Sequence, residues 1–465
     1  MKSINRKDVA WGYVAQIFNI GAGVILLPFA VRYLPPVELG LWYVFLTLTA
    51  LAQLLELGFQ PTISRQTSYV YSGATEIATT GLPPMGSNLD LRLLANLIAA
   101  SKKIYKLVAL GTAIGLLFFG SLYILTLKTE TTITSTKIAL PWLIYASGVV
   151  LNSYFGYYNG LLQGRGELTE ANKIIAISRF SMIAASIPLL ISGLGLTGLA
   201  LASFLSAGVS RLLYKKIFYS PQRVETDFLN KNPGEPNRLV SALWRGSWRL
   251  GAVQLGTFLI NRANFILASS FLGLITAASY GLTIQLTTLL FSVANMVTVL
   301  QAPKMNSAQA EGDIVKVKKL YFSSLVNAWA LYLCGCAAIY FAAPQIFHLM
   351  NSKTPLLEPS CLAILLATTF LELNHSVSAN YIMTLNRVPF LKPALLSGIA
   401  TLLLGLVAIH FFDLGIEGLL LAQGLVQLSY NNWKWPKEAL RHMKYEKGDL
   451  VKFGKLGIQD ILKSS

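Results

Sequence analysis

Runs of about twenty predominantly apolar residues recur along almost the whole chain, and no other feature restricts its fold so strongly. A helix needs about twenty such residues to cross the hydrocarbon core of a bilayer. Composition agrees. Of the 465 residues 54% are hydrophobic and 13% charged, with mean hydropathy +0.55, whereas soluble domains carry about 25% charged residues. A water-soluble fold is excluded, and the chain reads as an all-α polytopic membrane protein.

Turn and charge signals divide the apolar runs into about twelve spans. They lie near 9–31, 38–63, 104–127, 138–162, 173–192, 195–214, 248–270, 276–301, 321–343, 359–384, 388–411 and 415–435. The basic start followed by an apolar run imitates a signal peptide. That run continues through Val31 without a small-x-small cleavage pattern, so it is taken as the first helix, with its amino terminus in the cytoplasm. Very short connections, such as Ser192–Gly195 and Asp413–Gly415, force neighbouring helices antiparallel. Cys334, Cys336 and Cys361 fall inside apolar runs at no zinc or disulfide spacing and read as packing residues.

The formal charge of +17 would suggest nucleic acid in a soluble chain. Here its distribution explains it. With the amino terminus inside, all but six of the 38 Lys and Arg fall in cytoplasmic segments or at their helix ends. Arg32, Lys128, Lys137 and Lys353 lie on the far side, and Arg179 and Arg262 within spans. Topology accounts for the charge, and no nucleic-acid partner is expected. Residues 65–103 end in an amphipathic stretch, Asp90–Lys103, suited to the interface. The Pro-rich, charged segment inside 215–247 divides two sets of six spans. The predicted organisation is therefore an N-lobe at 1–220, a linker at 221–243, a C-lobe at 244–436 and a basic cytoplasmic tail at 437–465.

A shift of about 238 residues lays the seventh span over the first and the eighth over the second. Gln16 falls on Gln254, and one register further Thr49, Gln53 and Glu56 fall on Thr288, Ser292 and Asn295. Parallel six-helix repeats are a transporter plan. Polar residues trace helix faces: Thr49, Gln53, Glu56 and Gln60 in the second span, Gln285, Thr288, Ser292 and Asn295 in the eighth. Gln254, Thr257, Asn261 and Asn264 mark the seventh, and Gln16 and Asn19 the first. Lipid cannot satisfy such groups, so they face protein or water. Isolated helix–helix hydrogen bonds would explain each singly; four stripes together suggest a hydrophilic lumen lined by Gln16, Asn19, Gln53, Gln254, Ser292 and Asn295. Tyr154, Tyr157 and Tyr158 of the fourth span could stack on sugars or simply pack.

Arg262 lies 11 residues before Gly273 at the outer turn, roughly 16 Å of helix rise, which is too far to snorkel. Two readings stay open: an ion pair with Glu56 or Glu372, or an anion site in which Arg262, Asn261 and Asn264 present donors. Arg179, six residues past Lys173, is expected to snorkel. Glu56, Glu372 and His375 could couple ion movement to transport, or the carboxyls could be neutral core groups. Glu372 and His375 lack a third ligand, so no metal is expected, and no cofactor motif is present. The chain carries no phosphate loop, nucleophile elbow or HExxH. Leu162–Lys173 reads as a turn, with Arg165 and Glu167 near a cytoplasmic entrance.

The run Gly23–Phe45, which carries the first hairpin, resembles polysaccharide-transport proteins. So do Leu57–Arg65, Gln163–Lys173 and Ala302–Asp313. Together they resemble Wzx-type O-antigen flippases, of the superfamily that holds the multidrug and toxic-compound extruders and the lipid II flippases. The likeness covers nearly the whole chain. It implies a twelve-helix protein whose two six-helix lobes form a V-shaped central cavity. It further implies a bacterial inner-membrane carrier, both termini cytoplasmic, that moves undecaprenyl-pyrophosphate-linked O-antigen repeats to the periplasmic face for lipopolysaccharide biosynthesis. Coupling to H+ or Na+, contact with membrane lipid and partnership with other polysaccharide-assembly proteins follow from the same likeness. Relatives that carry pyrophosphate have a cationic cavity, whereas Arg262 is the one deep cation expected here. The alternatives are a drug-cation antiporter, which would favour an acidic lumen, and a membrane polymerase or ligase. The latter usually has a large outer loop, but the longest here is only about fifteen residues, near Pro344–Glu358.

Overall fold

The computed structural model describes residues 6–77, 83–127, 135–220, 224–232, 234–235, 237–385 and 389–454. Among these residues the regular structure is helical, joined by turns and short loops, with one isolated bridge between Ala74 and Met85. Among the described residues ten helices are long and apolar enough to cross a membrane. Two more predicted spans correspond to a long helix with a deep arginine and to a helix of 15 residues. The protein is thus a multi-pass α-helical membrane protein, as expected. It divides into two compact units, Met1–Leu255 and Gly256–Ser465.

The first unit runs through α1 (Arg6–Tyr33), α2 (Pro36–Gln53), α3 (Phe59–Tyr71), α4 (Leu91–Ala113), α5 (Ser121–Thr126) and α6 (Ser135–Phe155). It continues with α7 (Tyr157–Gly164), α8 (Leu168–Ile191), α9 (Gly195–Phe218), α10 (Val224–Lys231) and most of α11 (Asn237–Phe271). Asp90 caps α4 by accepting the Arg92 and Leu93 N–H groups at 2.9 Å each. That cap starts one span at Leu91 that reaches Thr126 through a π-helical stretch, Ile114–Gly120. The amphipathic stretch Asp90–Lys103 is therefore the first turns of a spanning helix, not a separate interfacial one. Its apolar face supplies Leu94, Leu97 and Ile98 to a core shared with Ile63, Tyr157 and Leu161. Tyr157 and Tyr158 stack at 4.3 Å inside this core, and the packing reading of that pair holds.

The described part of the predicted linker is docked on the first unit. Glu225 of α10 accepts from the Tyr71 hydroxyl at 3.1 Å, and the Glu235 N–H donates to Asn96 at 2.7 Å. The boundary between units falls instead inside α11, between Leu255 and Gly256.

The second unit holds the end of α11 and α12 (Leu274–Ala310), α13 (Ile314–Ala337), α14 (Ala343–Leu349), α15 (Pro359–Thr384), α16 (Leu391–His410), α17 (Gly415–Ser429) and α18 (Asn431–His442). Pro359 starts α15, where a missing N–H costs nothing. Asp413 and Gly415 adopt positive φ between α16 and α17, which explains the tight turn read there. Tyr321, Phe322, Tyr381 and Trp435 build its core. Large apolar side chains such as Phe118, Phe119, Leu403 and Phe411 stay exposed in both units, as lipid-facing residues do.

Candidate functional site

In the first unit the second predicted span is broken. The α2 helix ends at Gln53, a single 3-10 turn covers Leu54–Glu56, and Leu57 and Gly58 follow with φ of 48° and 72°. Two successive left-handed residues stop a helix, and the non-glycine one costs about 1–2 kcal/mol. The neighbourhood holds it there. Gly251 of α11 lies so close that a Cβ would sit 2.9 Å from Leu57 Cα, and the Ser247 and Thr62 hydroxyls meet at 3.0 Å. Glu56 ends the broken turn half-buried, and its carboxylate accepts from the Tyr105 hydroxyl of α4. The candidate span ends at this residue. Glu56 thus lies about 30 Å of rise from Pro36, at the span's boundary and not at its middle. Gln60, beyond the break, no longer continues the Thr49–Gln53 face. Gln53 is exposed.

Arg179 departs from the snorkelling expectation. Because α8 begins at Leu168, Arg179 stands near the helix midpoint, exposed, beside Tyr145 of α6. The Tyr145 hydroxyl is 3.1 Å from Thr49 Oγ1. Arg165 and Glu167 pair with each other at 2.8 Å, largely buried, with Arg165 4.8 Å over the Phe218 ring. They fasten the α7–α8 turn and are not displayed at an opening.

In the second unit Arg262 is half-buried on α11, beside Tyr280 of α12. Among the described residues no carboxylate lies within ion-pair distance of Arg262. Glu372 pairs instead with His375 one turn along α15, Oε2 to Nδ1 3.5 Å. Asn261 is exposed, its amide donating to the Thr257 carbonyl at 3.0 Å. Asn264 differs from the expectation. It is 1% exposed, and its amide donates to Leu419 O at 2.9 Å and Gln423 Oε1 at 3.0 Å. Those bonds join α11 to α17, so Asn264 holds helices together and does not face a ligand.

Gln16 and Gln254 are exposed. The Asn19 side chain lies outside the described residues. Ser292 and Asn295 are half-buried on α12. Asn295 donates to Ser376 of α15 at 3.4 Å, which brings the α12 stripe to the turn that carries Glu372 and His375. Residue spacing on single helices could not reveal Tyr105 or Tyr145. The one signal for Tyr105 was Gly156, where a Cβ would sit 2.6 Å from the Tyr105 ring.

A family model described as "Polysaccharide biosynthesis protein" matches residues 6–303. Among solved structures the chain is similar to a multidrug resistance MATE family transporter of the MOP superfamily in its inward-facing conformation. The TM-score is 0.72 at 16% identity, covering 95% of this chain and 100% of the other. Similarity to an outward-facing conformation of such a transporter has TM-score 0.61 at 15% identity, covering 96% and 97%. A MOP superfamily transporter from Pyrococcus furiosus, for which a reversed polarity of the binding pocket suggests a different function, gives TM-score 0.54 at 15% identity over 95% of each chain. No curated protein matches the chain.

Proposed function

Because this chain belongs to the polysaccharide biosynthesis protein family, we propose that it is a flippase for lipid-linked oligosaccharides. The cargo would be an undecaprenyl-pyrophosphate-linked O-antigen repeat, carried by alternating access from the cytoplasmic to the periplasmic face of a bacterial inner membrane. The observation that carries the reading is Arg262, a half-buried guanidinium in the last third of α11, eleven residues before the Gly273 turn, with no carboxylate partner among the described residues. A charge held at that depth is costly, about 2.5–3.5 kcal/mol even on lenient scales. A phosphate-bearing cargo would offset that cost, since the five-donor fork matches phosphate oxygens. Asn261 adds a neutral donor one residue away. Gln16, Gln53, Gln254, Ser292 and Asn295 would replace water around sugar hydroxyls.

Glu372 with His375 is the better candidate for coupling to H+ or Na+, because both lie in mid-helix beside the polar α12 stripe. Glu56, at the boundary of its span, is the second. A drug-cation antiporter is the alternative that the MATE-like fold favours, and the unpaired arginine disfavours it.

The test is surface O-antigen in a flippase-null host of the native background, given wild type, Arg262→Ala or Arg262→Lys at matched membrane levels. Restoration by wild type but not by Arg262→Ala is expected, with partial rescue by Lys. Full activity of Arg262→Ala would refute the anion role. Failure of wild type would refute the flippase assignment.

A further inference from the structure

Helix α17, the counterpart of the last predicted span, ends at Tyr430, whose φ of −146° and ψ of −61° break the helix before α18. The α18 helix has two unlike faces. Trp435, Ala439 and, just beyond the helix, Met443 are buried in the second unit, with the Trp435 ring 4.7 Å from that of Phe390. The other face carries Trp433 and Lys437, both exposed, with Arg441 a turn further on. An open groove of about 730 Å³ lies there, lined by Tyr430, Trp433, Lys434, Lys437, Arg441 and Lys444. Its one carboxylate, Glu438, is taken by Lys434 at 3.2 Å. Lys437, Arg441 and Lys444 have no carboxylate partner among the described residues.

The structure assigns this groove, we propose, to the phosphate headgroup of an anionic phospholipid. Three observations favour lipid over a soluble ligand. First, the groove begins at the residue where a helix leaves the apolar region, the level at which headgroups lie. Second, Tyr430 and Trp433 are 39% and 48% exposed and meet edge to face at 5.9 Å, as aromatic side chains do at a membrane interface. Third, the Lys437 ammonium stands 5.9 Å from the Trp433 ring centroid, next to the two other free cations. A phosphodiester settling among them meets three cations, while its acyl chains continue along Trp433 toward the exposed apolar side chains Leu425 and Leu428 of α17. The lipid would act as a specific ligand of the second unit, separate from any transported cargo.

Full-length protein in uncharged detergent, titrated with a fluorescent-tailed phosphatidylglycerol or phosphatidylcholine, tests this directly. A neutralised variant, K437Q/R441Q/K444Q, is compared with wild type. Each cation near a headgroup contributes roughly fivefold, so phosphatidylglycerol binding should weaken about a hundredfold in the variant. Phosphatidylcholine binding should be weak in both. Binding of phosphatidylglycerol within threefold of wild type in the variant would overturn the proposal. So would equal affinity of wild type for the two lipids, or displacement of the lipid by inorganic phosphate at matched concentration, which would make the groove a site for free phosphate. A second measurement needs no variant: wild type in bilayer discs is irradiated with a photoactivatable phosphatidylglycerol. Adducts within residues 430–444 are expected, and adducts found only elsewhere would sink the assignment.

Discussion

The Glu56–Tyr105 contact at the broken second span makes the sharpest prediction about the protein's interior. Tyr105 is 1% exposed, and its hydroxyl donates to Glu56. Tyr105→Phe removes one oxygen and keeps the ring that packs on Gly156, so the lost bond dominates the change. It leaves the half-buried carboxylate without this donor, which costs about 1–3 kcal/mol. Glu56→Leu strands the buried Tyr105 hydroxyl instead, with a cost of the same order. Removing both partners leaves neither group stranded, so the double variant should unfold later than either single one. The expected coupling is about 1–3 kcal/mol, well above the ~0.5 kcal/mol scatter of independent sites. Reversible unfolding in mixed micelles, followed by tryptophan fluorescence across an SDS titration, reads all four corners of the cycle. Additive losses would show that the two side chains do not meet, and the description of the break would be wrong.

Asn264→Leu should destabilise the protein by about 1–3 kcal/mol by stranding the Leu419 carbonyl and the Gln423 amide. Asn261→Ala, at an exposed position, should stay within ~0.5 kcal/mol; equal losses in thermal unfolding would contradict their different placement. Asp449, outside the spans, predicts a pH dependence. Burial pushes its carboxyl up, but the Lys318 ammonium at 2.8 Å and the Glu446 N–H at 3.0 Å outweigh this and hold it below the usual carboxylate range. A depressed folded value means that docking of the tail is fully stabilised above the unfolded value of about 3.9 and is lost as pH falls through the folded one. The protection of residues 444–452 against hydrogen exchange, corrected for the intrinsic rate at each pH, should therefore be constant from pH 8 to about 5 and fall below about 4. Asp449→Asn should exchange fast throughout, and a wild-type tail that loosens near neutral pH would refute the sign.

Much of the architecture was legible because lipid tolerates few solutions. The span at 359–384 was read at the bounds it has, since Pro359 opens it and an apolar run fills it. The 413–415 turn was readable because Asp and Gly accept positive φ. The break at Leu57 was not, since leucine gives no warning of a left-handed backbone and only Gly58 hinted at one. Its cause lies in distant residues, Gly251 above all. Periodicity likewise placed Asn261 and Asn264 on one polar stripe. Three residues of helix rotate a side chain by about 300°, enough to turn Asn264 into the α17 interface while Asn261 stays exposed. Partner choice across helices, as between Tyr105 and Glu56, is a property of packing that spacing on one helix does not encode.

The interruption at Leu57–Gly58 also sets the length of the second span. Without it, residues 36 to 71 would form one rod about 54 Å long, nearly twice the thickness of the hydrocarbon core. With it, the apolar part closes after Glu56, and the polar 13-residue α3 is released at an angle of its own. Because the close contact at the break comes from Gly251, late in the same unit, the length of the second span is fixed by packing against α11 and not by its own sequence alone.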